Sequence, residues 1–284
     1  MSAVVLTLSC PDRPGIVRAV STFVTGQDLN IVESHQFCER GAGRFYLRIA
    51  AETLTGQEPD VDTLRARFAD VARSFGMDWR MDDAGRRPRV LIMVSKFGHC
   101  LNDLLYRVRT GQLHAEVVAV VSNHPDWRSL VEVAGIPFVH LPVEAASKAD
   151  AEDKLLQIVE EQQVELVVLA RYMQILSAQL CERLRGRVIN IHHSMLPSFK
   201  GARPYHQAYD RGVKLVGATA HYATADLDEG PIIEQEVQRV DHAMDAAAVA
   251  ALGRDTECLA LARAVRYHLE NRVLVHGHKT VVLK

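Results

Sequence analysis

No run of apolar residues approaches the ~18 that a bilayer-spanning helix requires, so no membrane partner is expected. The opening Met1-Ser2-Ala3-Val4-Val5-Leu6 has no basic stretch ahead of an apolar one and runs straight into strand-like sequence, so no signal peptide is expected either. Cysteine is scarce and scattered: Cys10, Cys38, Cys100, Cys181 and Cys258, with no Cys-x-x-Cys. An odd, dispersed set argues against a disulfide framework and for reduced thiols in a cytoplasmic protein. Neither sign of charge dominates, 33 Lys and Arg standing against 35 Asp and Glu. The basic excess that a nucleic-acid partner needs is therefore missing. No His-Glu-x-x-His or Cys/His ligand spacing occurs, and His192 and His193, adjacent on an expected strand, should face opposite ways. No metal is expected. The loop Ser95-Lys96-Phe97-Gly98-His99-Cys100-Leu101 holds a single glycine, which leaves a dinucleotide or triphosphate cradle unsupported. His99 reads either as pocket floor or as a surface residue capping the next helix.

With 48% hydrophobic and 24% charged residues over 284 positions, the chain can bury one sizeable core or two smaller ones. Its chemistry-bearing residues crowd between positions 187 and 234. Val188-Ile189-Asn190-Ile191 reads as a buried strand that breaks into a loop with Ser194, Pro197, Gly201 and Pro204. A short helical piece follows, then a strand from Lys214 to Tyr222, the turn Ala225-Asp226-Leu227-Asp228-Glu229-Gly230-Pro231, and a third strand from Ile232. Residues two apart on a strand share a face, which pairs Asn190 with His192. An amide donor beside an imidazole suits attack on a carbonyl, one holding the oxyanion and the other moving a proton. Spacing alone also allows Asn190 as a strand-end cap, His192 as a satisfied half-buried ring and Asp228 as a solvated turn acid.

Asn190-Ile191-His192-His193-Ser194-Met195-Leu196-Pro197 resembles the Asn-x-His-x-Ser-x-Leu-Pro signature of the formyltransferases that use formyltetrahydrofolate. Leu227-Asp228-Glu229-Gly230-Pro231 resembles the same family's Leu-Asp-x-Gly-Pro loop. The resemblance places a catalytic trio on Asn190, His192 and Asp228, with His221 and His193 in support. Leu169-Ala170-Arg171-Tyr172-Met173-Gln174-Ile175-Leu176-Ser177 resembles the segment that binds the pterin. It makes Arg171, Tyr172, Met173, Ile175, Leu176 and Leu227 folate-binding candidates, the apolar ones as walls for a flat ring. Purine-nucleotide transformylases of this fold carry a Gly- and Asn-rich phosphate loop, from which Ser95–Leu101 departs. Lys200 and Arg203 read as second-substrate contacts or as solvated loop charges.

Ahead of this region, strands at Ala3–Ser9, Asn30–Cys38, Gly43–Ala50 and Met77–Met81 alternate with helices at Ile16–Thr25 and Val61–Phe75, with Pro14 expected in the first helical turn. The β-α-β-β-α-β order, with Asp12-Arg13-Pro14-Gly15 in the first turn, resembles an ACT domain of ferredoxin-like fold. That resemblance implies an amino-acid effector at Asp12, Arg13 and Gly15, and a homo-oligomer. A polar stretch ending in Pro88 predicts a boundary, giving an ACT-like domain over 1–83, a linker over 84–88 and a catalytic domain over 89–284. Within the last, β-branched runs at Val90–Val94, Val117–Ser122, Pro137–Leu141, Val164–Ala170 and Val188–Ile191 alternate with helical patterns. This rhythm predicts an α/β, mostly parallel, Rossmann-like sheet with ligands at the strand carboxyl ends. Asp245–Asn271 reads as two helices broken at Gly253, and Arg272–Val282 as a terminal hairpin.

The whole order resembles the formyltetrahydrofolate deformylases, and the paired His192-His193 adds to that resemblance. It implies a hydrolase of one-carbon metabolism, linked to purine biosynthesis, that splits 10-formyltetrahydrofolate into tetrahydrofolate and formate with no bound cofactor. Asp228 and His192 would activate water, while Asn190 and His192 hold the oxyanion. A transformylase with an unidentified, non-phosphorylated acceptor and a non-catalytic folate- or amino-acid-binding regulator are the rival readings.

Overall fold

The computed structural model of the protein describes residues 3–144, 147–197 and 204–284, and the chain divides into two compact units. The first holds the chain up to Arg87 together with Glu270–His276 and Thr280–Lys284. It runs β1 (Ala3–Pro11), α1 (Ile16–Thr25), β2 (Leu29–Glu39), β3 (Arg44–Thr53), α2 (Val61–Phe75) and β4 (Asp78–Asp83). The strands form one sheet in the order β2-β3-β1-β4, with β1 antiparallel to both β3 and β4, and β2 antiparallel to β3. This is the ferredoxin-like arrangement. Each helix lays one apolar stripe on the sheet: Ile16, Val20 and Val24 from α1, and Leu64, Phe68 and Ala72 from α2. Phe68 is fully buried, with Phe23 and Trp79 edge-on at 5.0 and 4.9 Å. Pro14 lies before the helix and not in its first turn, because Gly15, at φ 96, is the residue that caps α1.

The second unit comprises Pro88–Leu269 and Gly277–Lys279. It begins with β5 (Arg89–Val94), α3 (His99–Arg109), β6 (Glu116–Ser122), α4 (Arg128–Val133), β7 (Phe138–His140) and α5 (Lys148–Glu161). It continues with β8 (Leu166–Leu169), α6 (Ala178–Arg183), β9 (Val188–His192), α7 (Pro204–Asp210), β10 (Leu215–Tyr222), β11 (Ile232–Arg239) and α8 (Ala246–Leu269). The sheet order is β11-β10-β9-β8-β5-β6-β7. Five strands are parallel, and β10 and β11 add an antiparallel edge beside β9. β5 and β8 read as continuous apolar runs because helices cover both faces. The order reverses between β5 and β8, so the crevice at their carboxyl ends is where an α/β sheet of this kind takes a ligand.

Two further expectations are corrected. α8 is one helix through Gly253. A Cβ there would stand 2.2 Å from the Tyr205 ring, so the missing side chain admits the ring against the helix and does not break it. The terminal hairpin, β12 (Val273–His276) and β13 (Lys279–Val282), is not part of the second unit apart from its Gly277–Lys279 turn. Its polar contacts run to the first unit: Thr7 Oγ1 donates to Asn271 O at 3.0 Å, Arg48 Nε to Glu270 O at 2.9 Å, and Arg272 Nη2 to Glu33 at 2.9 Å. These partners are hundreds of residues apart, which local spacing cannot register. Among the described residues no helix is long and apolar enough to cross a membrane.

Candidate active site

β9 and β10 are antiparallel neighbours in a register that sets His221 opposite Asn190 and Thr219 opposite His192. Period-two alternation then puts all four side chains on one face. A bulge against β11 falls between Ala220 and His221, at the point where the strand turns its histidine into the site. The segment after β9 is pinned from beneath: Leu196 N donates to Thr219 Oγ1 at 3.0 Å, Thr219 Oγ1 donates to Ser194 O at 2.9 Å, and Gln235 Nε2 donates to Leu196 O at 3.0 Å. Ser95, after β5, anchors the segment that follows β8, its Oγ accepting from Met173 N at 3.0 Å.

The hydrogen bonds fix which atom carries each proton. His221 Nδ1 lies 3.0 Å from Tyr222 O. A carbonyl only accepts, so Nδ1 bears the hydrogen. Burial pushes this ring's pKa down, so it is neutral and Nε2 offers a lone pair. Asn190 Nδ2, 3.2 Å away, donates to it. The amide is thereby locked with its nitrogen towards His221, and the second Nδ2 hydrogen is left for a reactant. His192 Nδ1 donates to Asp228 Oδ1 at 3.2 Å. That bond, partly opposed by burial, holds the Asp228 carboxyl below its ordinary pKa. His192 Nε2 is buried without a hydrogen-bond partner, an arrangement that costs about 1–3 kcal/mol when nothing else satisfies the atom.

Asp228 takes the left-handed conformation, φ 59, which Asp tolerates better than most residues. Two residues on, Gly230 presses the loop against β10: a Cβ there would meet Tyr222 O at 1.7 Å and His221 Nδ1 at 3.3 Å. Because the obstacle is backbone, Gly230→Ala must shift the loop that carries Asp228. We expect it to cost about 3 kcal/mol in thermal unfolding and to lower turnover. Wild-type stability and rate together would show that the loop has room.

One cavity of about 700 Å³ is lined by the catalytic and supporting candidates Asn190, His192, His193, His221 and Asp228 and by the folate-binding candidates Arg171, Tyr172, Met173, Ile175, Leu176 and Leu227. Met173, Ile175 and Leu227 are exposed apolar side chains on its wall, as a site for a flat ring requires. His193 departs from expectation. The strand ends at His192, so the two rings do not face opposite ways. Their centroids are 5.1 Å apart, and both line the cavity. Burial, with Arg171's charge adding to it, pushes His193 down to about 4, so the ring is neutral at physiological pH.

A further group of lining residues is not legible in the sequence. Glu257, on α8, is buried and accepts from His99 Nε2 at 2.7 Å and from Tyr205 Oη at 2.8 Å, with Arg171 Nε at 3.3 Å. Burial would raise its carboxyl, but the His99 bond and Arg171's charge outweigh it and hold the pKa below the ordinary value. His99 is thus cavity lining and not a surface cap. His99, Cys100 and Glu257 offer ligand atoms within 4.8 Å of one another, a cluster assembled from α3 and α8 that no spacing rule detects. Glu257's charge there is already met by Arg171 and two hydrogen bonds. Lys200 and Arg203 lie outside the described residues. Asp12, Arg13 and Gly15 belong to the first unit and do not line this cavity. Asp12 accepts from the Cys38 thiol at 3.1 Å, and the Arg13 guanidinium lies 4.4 Å over Phe75 and donates to Ser74 O.

An immobilised amide, a histidine–carboxylate pair and an apolar slot, at the carboxyl edge of a mostly parallel sheet, define a site for acyl-group transfer. A family model described as formyl transferase matches residues 88–265. A formyltetrahydrofolate deformylase of Corynebacterium sp. (strain P-1) is 54% identical over 99% of this chain and 98% of its own. One of Bacillus subtilis (strain 168) is 49% identical over 98% and 92%. The crystal structure of a formyltetrahydrofolate deformylase from Pseudomonas syringae pv. tomato superposes with a TM-score of 0.95 at 46% identity, covering 99% of this chain and 94% of that one. The chain belongs to the formyl transferase family and, within it, to the formyltetrahydrofolate deformylases.

Proposed function

We propose that the protein hydrolyses 10-formyltetrahydrofolate to tetrahydrofolate and formate. The pterin lies against Tyr172, Met173, Ile175, Leu176 and Leu227, with backbone groups of the 171–176 segment meeting its ring edge. This brings the N10-formyl group to Asn190 and His192. Water attacks the formyl carbon and gives its proton to the Asp228–His192 pair. The free Nδ2 hydrogen of Asn190 and the protonated His192 hold the oxyanion, and His192 then returns a proton to N10 as the C–N bond breaks. Neutral His193 keeps a lone pair for the attacking water. The observation that carries this reading is His192 itself, paired with Asp228 through Nδ1 and unpartnered at Nε2. No step calls on a resident metal or cofactor. All five cysteines are free thiols, in keeping with a cytoplasmic setting.

The test is turnover without an acceptor. Purified protein is mixed with 10-formyltetrahydrofolate, and formate and tetrahydrofolate are followed, with a chelator in a parallel sample. Equal, chelator-resistant release of both products is expected. Folate binding without release would replace hydrolysis by transfer to an amine or by a binding role.

The first unit serves, in this reading, as an ACT-like regulatory and assembly module. β2 and β4 are its outer strands, and Val32 and Phe37 on β2 are exposed apolar residues, suited to pairing with a second copy. An amino-acid effector would sit at Asp12, Arg13 and Gly15. Sedimentation should give an oligomer, and Phe37→Glu should weaken it; a monomeric wild type would remove the assembly role.

A further inference from the structure

In the hydrolytic scheme the Arg171 side chain has no task. Its backbone stands at φ 64, a conformation that glycine adopts freely and a long side chain does not favour. The side chain is nine-tenths buried. Its guanidinium lies 5.7 Å over Phe97, and neither Nε nor Nη1 has a hydrogen-bond acceptor. Glu257, 3.3 Å from Nε, holds the cation in place, yet its oxygens already take hydrogen bonds from His99 and Tyr205. Glu257 meets its charge, but the buried donors of this cavity-lining guanidinium still lack hydrogen-bond acceptors. It is also near the chemistry: Arg171's charge acts on His193, whose ring adjoins that of His192.

We propose that Arg171, tethered by Glu257, forms a carboxylate subsite that receives formate as it leaves the formyl-transfer centre. The inference rests on the hydrolytic reading. In that reaction a C–O bond forms at the formyl carbon and the C–N10 bond breaks. One proton of water ends on N10, and the other is lost from formic acid. The reacting group is a neutral amide and its small product is an anion. A guanidinium lining the same cavity as the apolar slot therefore distinguishes product from reactant, with a planar fork that matches a carboxylate. The charge of Glu257 tempers the attraction, so the anion is drawn off the centre without being retained.

The experiment measures sodium formate binding to the full-length protein, by line broadening of ¹³C-formate, and formate inhibition of turnover, with inhibition by tetrahydrofolate as the reference. Arg171→Gly, which suits the backbone, should weaken formate about tenfold, and Arg171→Lys, which keeps charge without the fork, should fall between it and wild type. Glu257→Gln should act in the opposite sense, tightening formate by about tenfold and slowing turnover as product accumulates. A packing defect would move both sites the same way. Formate affinity unchanged in Arg171→Gly or Arg171→Lys, or weakened in Glu257→Gln, overturns the subsite. Failure of the wild type to release formate from the folate overturns the hydrolytic reading instead, and direct formate binding still decides the subsite.

Discussion

Asp228→Asn retains folate binding and loses turnover by about a thousandfold, within the range for a positioned proton acceptor. The amide has the shape of the carboxylate and can still accept the His192 Nδ1 hydrogen at the present 3.2 Å. It cannot take a proton from water, and it offers no charge to a protonated His192. Binding is spared because the apolar slot of Met173, Ile175 and Leu227 is untouched. Single-turnover rates, set beside a tetrahydrofolate titration, separate the two effects. A variant that turns over at near the wild-type rate removes Asp228 from the chemistry and leaves it a loop residue.

Asn190→Ala lowers kcat by about a hundredfold to a thousandfold with a far smaller change in KM, the pattern of a donor that acts on the transition state. Asn190→Asp falls at least as far, although it is closer in shape. Its carboxylate would set an oxygen against the His221 lone pair, whose direction is dictated by the Nδ1 bond to Tyr222 O, and would repel the oxyanion. The two variants are compared at saturating and limiting folate. An active Asn190→Asp enzyme would mean that His221 does not hold the amide by its nitrogen.

Legibility in the sequence follows the range of the interaction. Asn190 and His192 share a face because strands alternate, and that much needs no tertiary information. The β8-to-Leu176 segment and the Asp228 turn are legible through their resemblance to family motifs. His221 is named on the same ground, but its partner across the β9–β10 ladder, Asn190, follows only from the observed register. The orientation of His193 is misread from sequence because alternation stops where the strand stops, and no local signal ahead of the Ser-Met-Leu-Pro loop marks that end. Glu257 and the direction of the Arg171 side chain are invisible: α8 reaches the cavity by packing alone, and its one local signal, Gly253, reads as a break until Tyr205 is seen against it.

The return of Glu270–His276 to the first unit has a consequence for synthesis. Arg48 is buried on β3, with its Nε bond to Glu270 O. A ribosome makes β1 to β4 early, but that bond cannot form until Pro88–Leu269 has also emerged. The unit that begins first is therefore completed only after the one that follows it. Until then Arg48 lacks its Glu270 acceptor, and the first unit gains this bond only once the chain through Glu270 has been made.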